Sequence, residues 1–296
     1  MENVRKLKFE TEYGKIEIRI GPPYVLSSLN CDNATVSIQT EGYIGTDGER
    51  EIETLYDARI VEVKGYISAK SKQELEKLRQ NLVRMLNGKD SGTLTVSSGR
   101  NTYTARARPT ATPNFGDEKQ NFLNFTCEFK IPSFYWKRKL PAGNTFYLFK
   151  RENMATTDTV ITNGAVLTER TSGGIINNSG DTVGDMVITL YRPVGSGGIA
   201  AQSVDSDIIV ISNETTGQKM TINHSMAEGE SVVIDTENTT VKSFLGGVET
   251  NILHQLDGEF MKLPLGENKI KVTNNATDSV LILTAEYYDK LKGVGM

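Results

Sequence analysis

The sequence predicts a mainly β protein of two domains: an N-terminal β-rich domain with one α-helix, followed by a domain built from strands alone. Three features carry this reading. Period-two alternation recurs along most of the chain, an amphipathic helical stripe occurs once, and the texture shifts to Thr, Asn, Gly and Val beyond Pro132.

In the first half, KIEIRI (15–20) alternates cleanly, GPPY (21–24) turns the chain, and ATVSIQT (34–40) alternates again. From Glu41 to Asp57 the pattern fails. GYIGTDGEREIETLYD holds the hairpin-turn pair Asp47-Gly48 among mixed charges, so it is either a protruding two-stranded arm or a long loop. RIVEVKGYIS (59–68) resumes as a strand and leads into the helix, expected over 71–87. Ser71 and Glu74 form a capping box; Leu75, Leu78, Leu82, Met85 and Leu86 share a face, and Gly88 supplies a C-terminal stop. One apolar stripe requires a sheet to lie against.

GTLTVSSGRNTYTARARP then reads as a hairpin turning at Ser98-Gly99. In NFLNFTCEFKIP, Phe125, Cys127, Phe129 and Ile131 point one way, which makes Cys127 a small core residue rather than a reactive thiol. Pro132, Pro141 and Gly143 bracket SFYWKRKL, and the junction is expected there, dividing the chain into 1–136 and 137–296; KRK (137–139) reads as a solvated linker. Strands then recur at sandwich-like spacing: DTVITNGAVL with an Asn163-Gly164 turn, DMVITLYRP, DIIVISNETTGQKMTINHSM turning near Thr216-Gly217, SVVIDTENTTVKSFL and a closing pair. In LPLGENKIKV (263–272), Pro264 and Gly266 are expected to reverse the chain at a sheet corner, with Asn268 tolerating the turn before Ile270 re-enters the core.

Composition narrows the function. A length of 296 residues with 38% hydrophobic and 24% charged residues is that of a folded chain with two cores. A net charge of -4 without a long Lys/Arg track disfavours stable nucleic-acid binding. Cys31 and Cys127 are too few and too distant for a disulfide framework or a Cys-x-x-Cys metal site. No apolar run is long enough to span a membrane, and the charged N-terminus MENVRKLKFETEYGK does not read as an export signal.

Reactive constellations are sparse. His224 and His254 have no second ligand at metal spacing, and GSGG (195–198) lacks the setting of a nucleophile elbow or a phosphate loop. Asp205 with Asp207, and Asp117 with Glu118, are the paired carboxylates that a glycosidase reading would use; acidic loop residues of this kind are common in any soluble protein. The acceptor sequences at Asn213 and Asn275 are expected by chance. No catalytic residue, cofactor or metal is expected. The alternative is a carbohydrate-binding or adhesin-type β-sandwich contacting the bacterial cell wall, for which the exposed aromatics would have to come from Trp136 or Tyr287-Tyr288.

Taken in order, the chain resembles the distal tail proteins of long-tailed bacteriophages. The elements are IINNSGDTVGDMVITL, IIVISNETTGQKMTI, GESVVIDTENTTVKS, and a Phe-x-x-Leu-x-x-Gly-x-Asn element present as Phe260, Leu263, Gly266 and Asn268. Pro22-Pro23-Tyr24, the strand at 59–68 and the capped helix before a Gly-containing hairpin fit the same family.

That resemblance implies a structural baseplate hub: a ring of six copies made by the N-terminal domain, and a C-terminal galectin-like sandwich acting as a docking platform. Its implied partners are itself, the tail tube protein, tape-measure and tail-tip proteins, and a receptor-binding protein or fibre, in a virion tail assembled in the bacterial cytoplasm. The segment from Gly42 to Asp57 falls where family members carry an arm that embraces the next subunit, which makes Tyr43, Asp47, Glu49, Arg50, Glu51, Glu53 and Tyr56 the expected inter-subunit residues. Mixed charge there suits a contact that sets register better than an apolar anchor. The net negative charge would repel DNA passing through a lumen rather than hold it.

Overall fold

The computed structural model describes residues 5–32, 35–43, 45, 47–99, 101–139, 145–150, 173–194, 208–274 and 281–294. The chain divides into two compact units, one of Met1–Pro141 with Lys290–Met296 and one of Ala142–Asp289.

The first unit contains strands β1 (Arg5–Thr11), β2 (Gly14–Arg19), β3 (Tyr24–Asn30), β4 (Val36–Gly42), β5 (Glu49–Tyr56) and β6 (Arg59–Ser68), then helix α1 (Lys72–Met85). After the helix come β7 (Gly92–Ser98), β8 (Asn101–Pro109), β9 (Asn114–Lys119), β10 (Phe122–Ile131) and β11 (Trp136–Lys139). Except for β4 and β5, these strands form one sheet in the order β11-β8-β7-β1-β2-β3-β6-β10-β9. A second pairing of β10, to β8 through Phe129↔Pro109, curls the sheet into a closed barrel. Closure removes edges that would otherwise recruit other strands.

The period-two alternation builds that barrel. Leu7, Phe9, Val61, Val63, Leu94, Val96, Phe125, Cys127 and Phe129 face a common core, while their neighbours face out. Burial pushes the Cys127 thiol up to about 12, with the neighbouring Glu128 charge adding to it, so the thiol stays protonated and inert. Gly65 is required by close packing: a Cβ there would meet the Val25 carbonyl oxygen at 2.4 Å and the Phe125 ring at 2.8 Å.

The helix begins as its capping box predicts, with Ser71 Oγ accepting from the Glu74 N–H at 3.2 Å and Glu74 Oε2 accepting from the Lys70 N–H at 2.7 Å. Leu75, Leu82, Met85 and Leu86 are buried in the barrel core, and Leu78 packs at its margin. Tyr24 locks the helix further, its hydroxyl donating to the Leu78 carbonyl at 2.9 Å and accepting from Asn81 Nδ2 at 3.1 Å.

The segment KRK corrects the sequence reading of a linker. Lys137, Arg138 and Lys139 pair with Thr104, Tyr103 and Thr102 on β8, and Trp136 is fully buried in the first core. The expected junction at 136/137 therefore falls inside a strand of the first unit, and the chain's last residues also join that unit.

The second unit is an antiparallel two-sheet sandwich. Its strands are β12 (Thr145–Lys150), β13 (Gly173–Asn178), β14 (Met186–Tyr191), β15 (Ile208–Asn213), β16 (Gln218–Asn223) and β17 (Ser231–Asp235). They continue as β18 (Thr240–Leu245), β19 (Val248–Asn251), β20 (Leu256–Gly258), β21 (Gly266–Asn274) and β22 (Leu281–Tyr287). One sheet runs β12-β22-β14-β17-β18-β19 and the other β13-β21-β15-β16-β20; β23 (Asp289–Leu291) then lies beside β11 in the first sheet. Ile188, Leu190, Val232 and Ile234 from one sheet share a core with Ile209, Ile211, Met220 and Ile270 from the other. The Asn163-Gly164 turn, GSGG, Asp205, Asp207 and Asn275 lie outside the described residues.

Buried polar clamps hold the sandwich's corners. Gly266 takes φ +86 as the chain leaves Pro264, in keeping with the expected corner, but Asn268 is no turn residue. It is fully buried within β21, donates from Nδ2 to the carbonyls of Pro264 and Gly266 at 2.9 Å each, and accepts from Asn213 Nδ2 at 2.9 Å. Asn178 Nδ2 likewise donates to the carbonyls of Leu263 at 2.8 Å and Thr182 at 3.0 Å. Asn213 is engaged in the core, which removes it as a modification acceptor in the folded chain.

Glu230 anchors the other sheet. It accepts from His224 Nε2 and from the Ala227 N–H, each at 2.6 Å, and from the Ser243 hydroxyl, while His224 Nδ1 lies 2.6 Å from Gln255 Oε1. Burial alone would raise the Glu230 carboxyl, but the hydrogen bonds from Ser243, His224 and Ala227 outweigh it and the net direction is down.

Two stability predictions follow from these cores. Leu82→Ala should destabilise the first unit by about 2–5 kcal/mol, measured by denaturant unfolding of the full chain, because the helix cannot collapse onto the cavity. Because the Glu230 carboxyl is lowered in the fold, its contribution is present above the unfolded carboxylate value and lost as pH falls through the folded one. The sandwich melting temperature should therefore drop from about pH 5 downward, and Glu230→Gln should flatten that dependence.

Candidate interaction site

Among the described residues, strands β4 and β5 pair only with each other, as a two-stranded ribbon separate from the barrel sheet. The structure thus resolves the choice between arm and loop in favour of an arm, and a longer one than the failing alternation marks. ATVSIQT, expected as an ordinary strand, supplies one side of it from Val36 onward, and every residue of both strands is exposed.

Directly opposed residues share a face in an antiparallel ribbon. Val36 faces Tyr56, Ile38 faces Thr54 and Thr40 faces Glu51, so one face carries Val36, Ile38 and Tyr56. Ile52 is the extra residue of a β-bulge beside Gln39 and Thr40. Ile38 and Ile52 are 59% and 60% exposed, values that no core residue of the barrel approaches. The other face pairs Ser37 with Leu55, Gln39 with Glu53 and Glu41 with Arg50. The arm is therefore not purely a charged, register-setting element: it also presents an apolar stripe.

Of the residues expected at this site, Glu49, Arg50, Glu51, Glu53 and Tyr56 lie on β5, Asp47 lies in the tip turn, and Tyr43 directly follows β4. Short side-chain bonds stiffen the ribbon: Thr40 Oγ1 donates to Glu49, Thr54 Oγ1 donates to Glu51, and Arg50 donates to the Tyr43 hydroxyl at 3.3 Å. At the foot, Ser37 Oγ donates to Asp57 Oδ1 at 2.9 Å.

Arg59 opens β6 directly after the arm, and it is no surface charge. It is 1% exposed. Its Nε donates to the Phe134 carbonyl at 3.0 Å, one terminal nitrogen to the Cys31 carbonyl at 2.6 Å, and the other to the Lys292 carbonyl. Burial lowers the guanidinium's pKa, while the nearby Asp32 carboxylate opposes that shift. The guanidinium lies 4.5 Å from the centre of the Phe134 ring, and that ring stacks on Tyr56 at 4.2 Å with only 13° between planes. Lys292 Nζ sits 5.3 Å from the Tyr56 ring centre. The arm's last residue is thereby fastened to the barrel.

Other candidates lose their setting. Trp136, offered as a sugar-stacking aromatic, is buried, and Asp117 and Glu118 stand exposed on strand β9. Among the described residues no group of three or more His, Cys, Asp and Glu side chains is placed to hold a metal, and no helix is long and apolar enough to cross a membrane.

Residues 12–131 match the phage tail protein RIFT-related domain, and residues 199–289 match the siphovirus-type tail component, C-terminal domain. The SPP1 Dit protein, described as a paradigm of the hub adsorption apparatus in phages that infect Gram-positive bacteria, superposes with a TM-score of 0.60 at 13% identity, covering 96% of this chain and 99% of that one. A chain of the phage P2 baseplate in its activated conformation with calcium superposes with a TM-score of 0.55 at 11% identity, covering 99% of this chain and 100% of that one. The strontium form of the phage p2 baseplate gives 0.53 at 12% identity, with 95% and 98% covered. At these identities the structural likeness establishes a shared fold. No curated protein sequence matches the chain.

Removing the clamp should be costly. Arg59→Met leaves three carbonyl oxygens without their buried donor and should destabilise the first unit by about 3–5 kcal/mol, read by denaturant unfolding, with the sandwich transition unchanged.

Proposed function

We propose, from the premise that this chain belongs to the distal tail (baseplate hub) protein family of phages, that it forms a non-enzymatic ring in which each copy's arm grips its neighbour. The family assignment rests on the two tail-protein domains matched in order along the chain. The ring reading rests above all on the arm. Its strands are exposed on both faces, belong to no larger sheet, and carry an apolar stripe. An isolated two-stranded hairpin is marginal in water and gains stability by packing against another surface.

A head-to-tail contact between two unlike surfaces closes into a ring when the rotation per subunit permits. Six copies is the number implied by the family resemblance. In this reading the barrel unit makes the ring at the end of the tail tube, and the sandwich offers surface to receptor-binding and other tail-tip proteins in the virion. The sandwich's polar clamps are engaged internally in fixing its own corners, which suits a rigid platform better than a reactive site.

Light scattering of the full chain across a concentration series should show a closed oligomer. Deleting residues 47–53 should shift the chain to monomer while leaving both unfolding transitions in place. A variant that still assembles would remove the arm from the interface, and an unfolded product would make the arm part of the core.

A further inference from the structure

We propose that a basic groove on the barrel, formed by Arg106, Arg108 and Lys130, is the surface on which a second copy of this chain seats its acidic arm. This rests on the arm reading above and adds the receiving site.

The groove encloses about 610 Å³ between β8, β10 and the turn after the helix, and no acidic side chain lines it. Arg106 and Arg108 occupy alternate, outward positions of β8 and are exposed; Lys130 on β10 is exposed as well. The ladder places Lys130 directly opposite Arg108. Like charges at directly opposed positions oppose pairing, and an anion laid across them relieves the repulsion. No ion pair among the described residues engages these three cations, and Arg106 reaches Ser91 Oγ at 3.3 Å.

The arm has the matching charge. Residues 36–56 contain Glu41, Asp47, Glu49, Glu51 and Glu53 against Arg50 alone, a formal charge of -4 that equals the net charge of the whole chain. The remainder of the molecule is therefore neutral in sum, so the chain's net negative charge equals that of this one ribbon. Pro109 and Pro132 add apolar surface to the groove, on which an exposed arm residue such as Ile52 loses contact with water. A protein ribbon with both charge and an apolar stripe uses both features of the groove, whereas a nucleic-acid backbone uses only the first.

The test uses the full chain and reads the concentration at half-assembly by analytical ultracentrifugation. Groove reversal (Arg106→Glu, Arg108→Glu, Lys130→Glu) and arm reversal (Glu49→Lys, Glu51→Lys, Glu53→Lys) should each raise it by about tenfold or more, and the combined variant should recover most of that loss. All six positions are exposed, so unfolding curves should be unchanged. As a second readout, Glu51→Cys combined with Arg108→Cys should give a ladder of linked copies with a short bis-maleimide, because native Cys31 and Cys127 are buried.

If deleting residues 47–53 abolishes assembly while groove reversal leaves it unchanged, the docking surface is elsewhere and the arm reading survives. If that deletion has no effect, or the wild-type chain stays monomeric throughout, the arm reading falls and this proposal with it. Absence of the linked ladder, or groove reversal that impairs only binding of a DNA duplex, overturns the groove assignment.

Discussion

A guanidinium withdrawn from water dictates much of the first unit's arrangement. Isolated, such a charge is heavily penalised; Arg59 is tolerated because three carbonyls and an aromatic face surround it. Those carbonyls belong to Cys31, Phe134 and Lys292, which flank the chain just ahead of the arm, the turn into β11 and the C-terminal return. Asp32 reinforces the same point by accepting from the Val294 N–H at 3.3 Å. A planar donor fork can tie three separate segments at once, which an ammonium on a flexible stem cannot match. The arm's foot, the return of the chain and the last turn of the barrel are therefore fixed together.

That fixing explains how a ribbon without a sheet of its own can still have a defined direction. Tyr56 is held by the Phe134 stack, and Phe134 by the same arginine, so the anchor passes from core to arm through three side chains. Beyond Tyr56 the ribbon has its ladder, a few short side-chain bonds and a bulge. Its outer turns depend on whatever surface they meet. Rigidity at the foot with exposed strands beyond it lets a contact be made without first ordering the whole element, which lowers the entropic cost of association.

Much of the architecture was legible in the sequence because local signals agreed with one another. The helix had a cap, a stripe and a stop, and the barrel and sandwich strands alternated at period two. The clamps were less visible, since composition cannot say whether Arg59, Asn178, Asn213, Glu230 or Asn268 is solvated. Parity can. Arg59 is in phase with Val61 and Val63, Asn178 with Ile176, Asn213 with Ile209 and Ile211, Glu230 with Val232 and Ile234, and Asn268 with Ile270 and Val272. A polar side chain that falls on the dry phase of a strand must bring partners with it, so phase alone marked five structural polar residues. The same rule misled at residues 34–40. There the alternation was real, but its apolar face is exposed, and a single sequence does not reveal whether such a face is dry in the monomer or only in an assembly.

The distribution of charge bears on why an exposed apolar ribbon need not lead to uncontrolled association. A flat hydrophobic edge pairs with any copy of itself, and repeated pairing has no natural end. Here the stripe of Val36, Ile38 and Tyr56 is carried by a segment rich in carboxylates, so two arms approaching each other meet repulsion before their apolar faces touch. Attraction is left to unlike surfaces, and contact between unlike surfaces is the kind that runs in one direction around a closed assembly. Under the proposed docking, negative charge concentrated on the arm does two things at once: it bars the arm from its own kind and directs it toward cations elsewhere on a neighbouring copy.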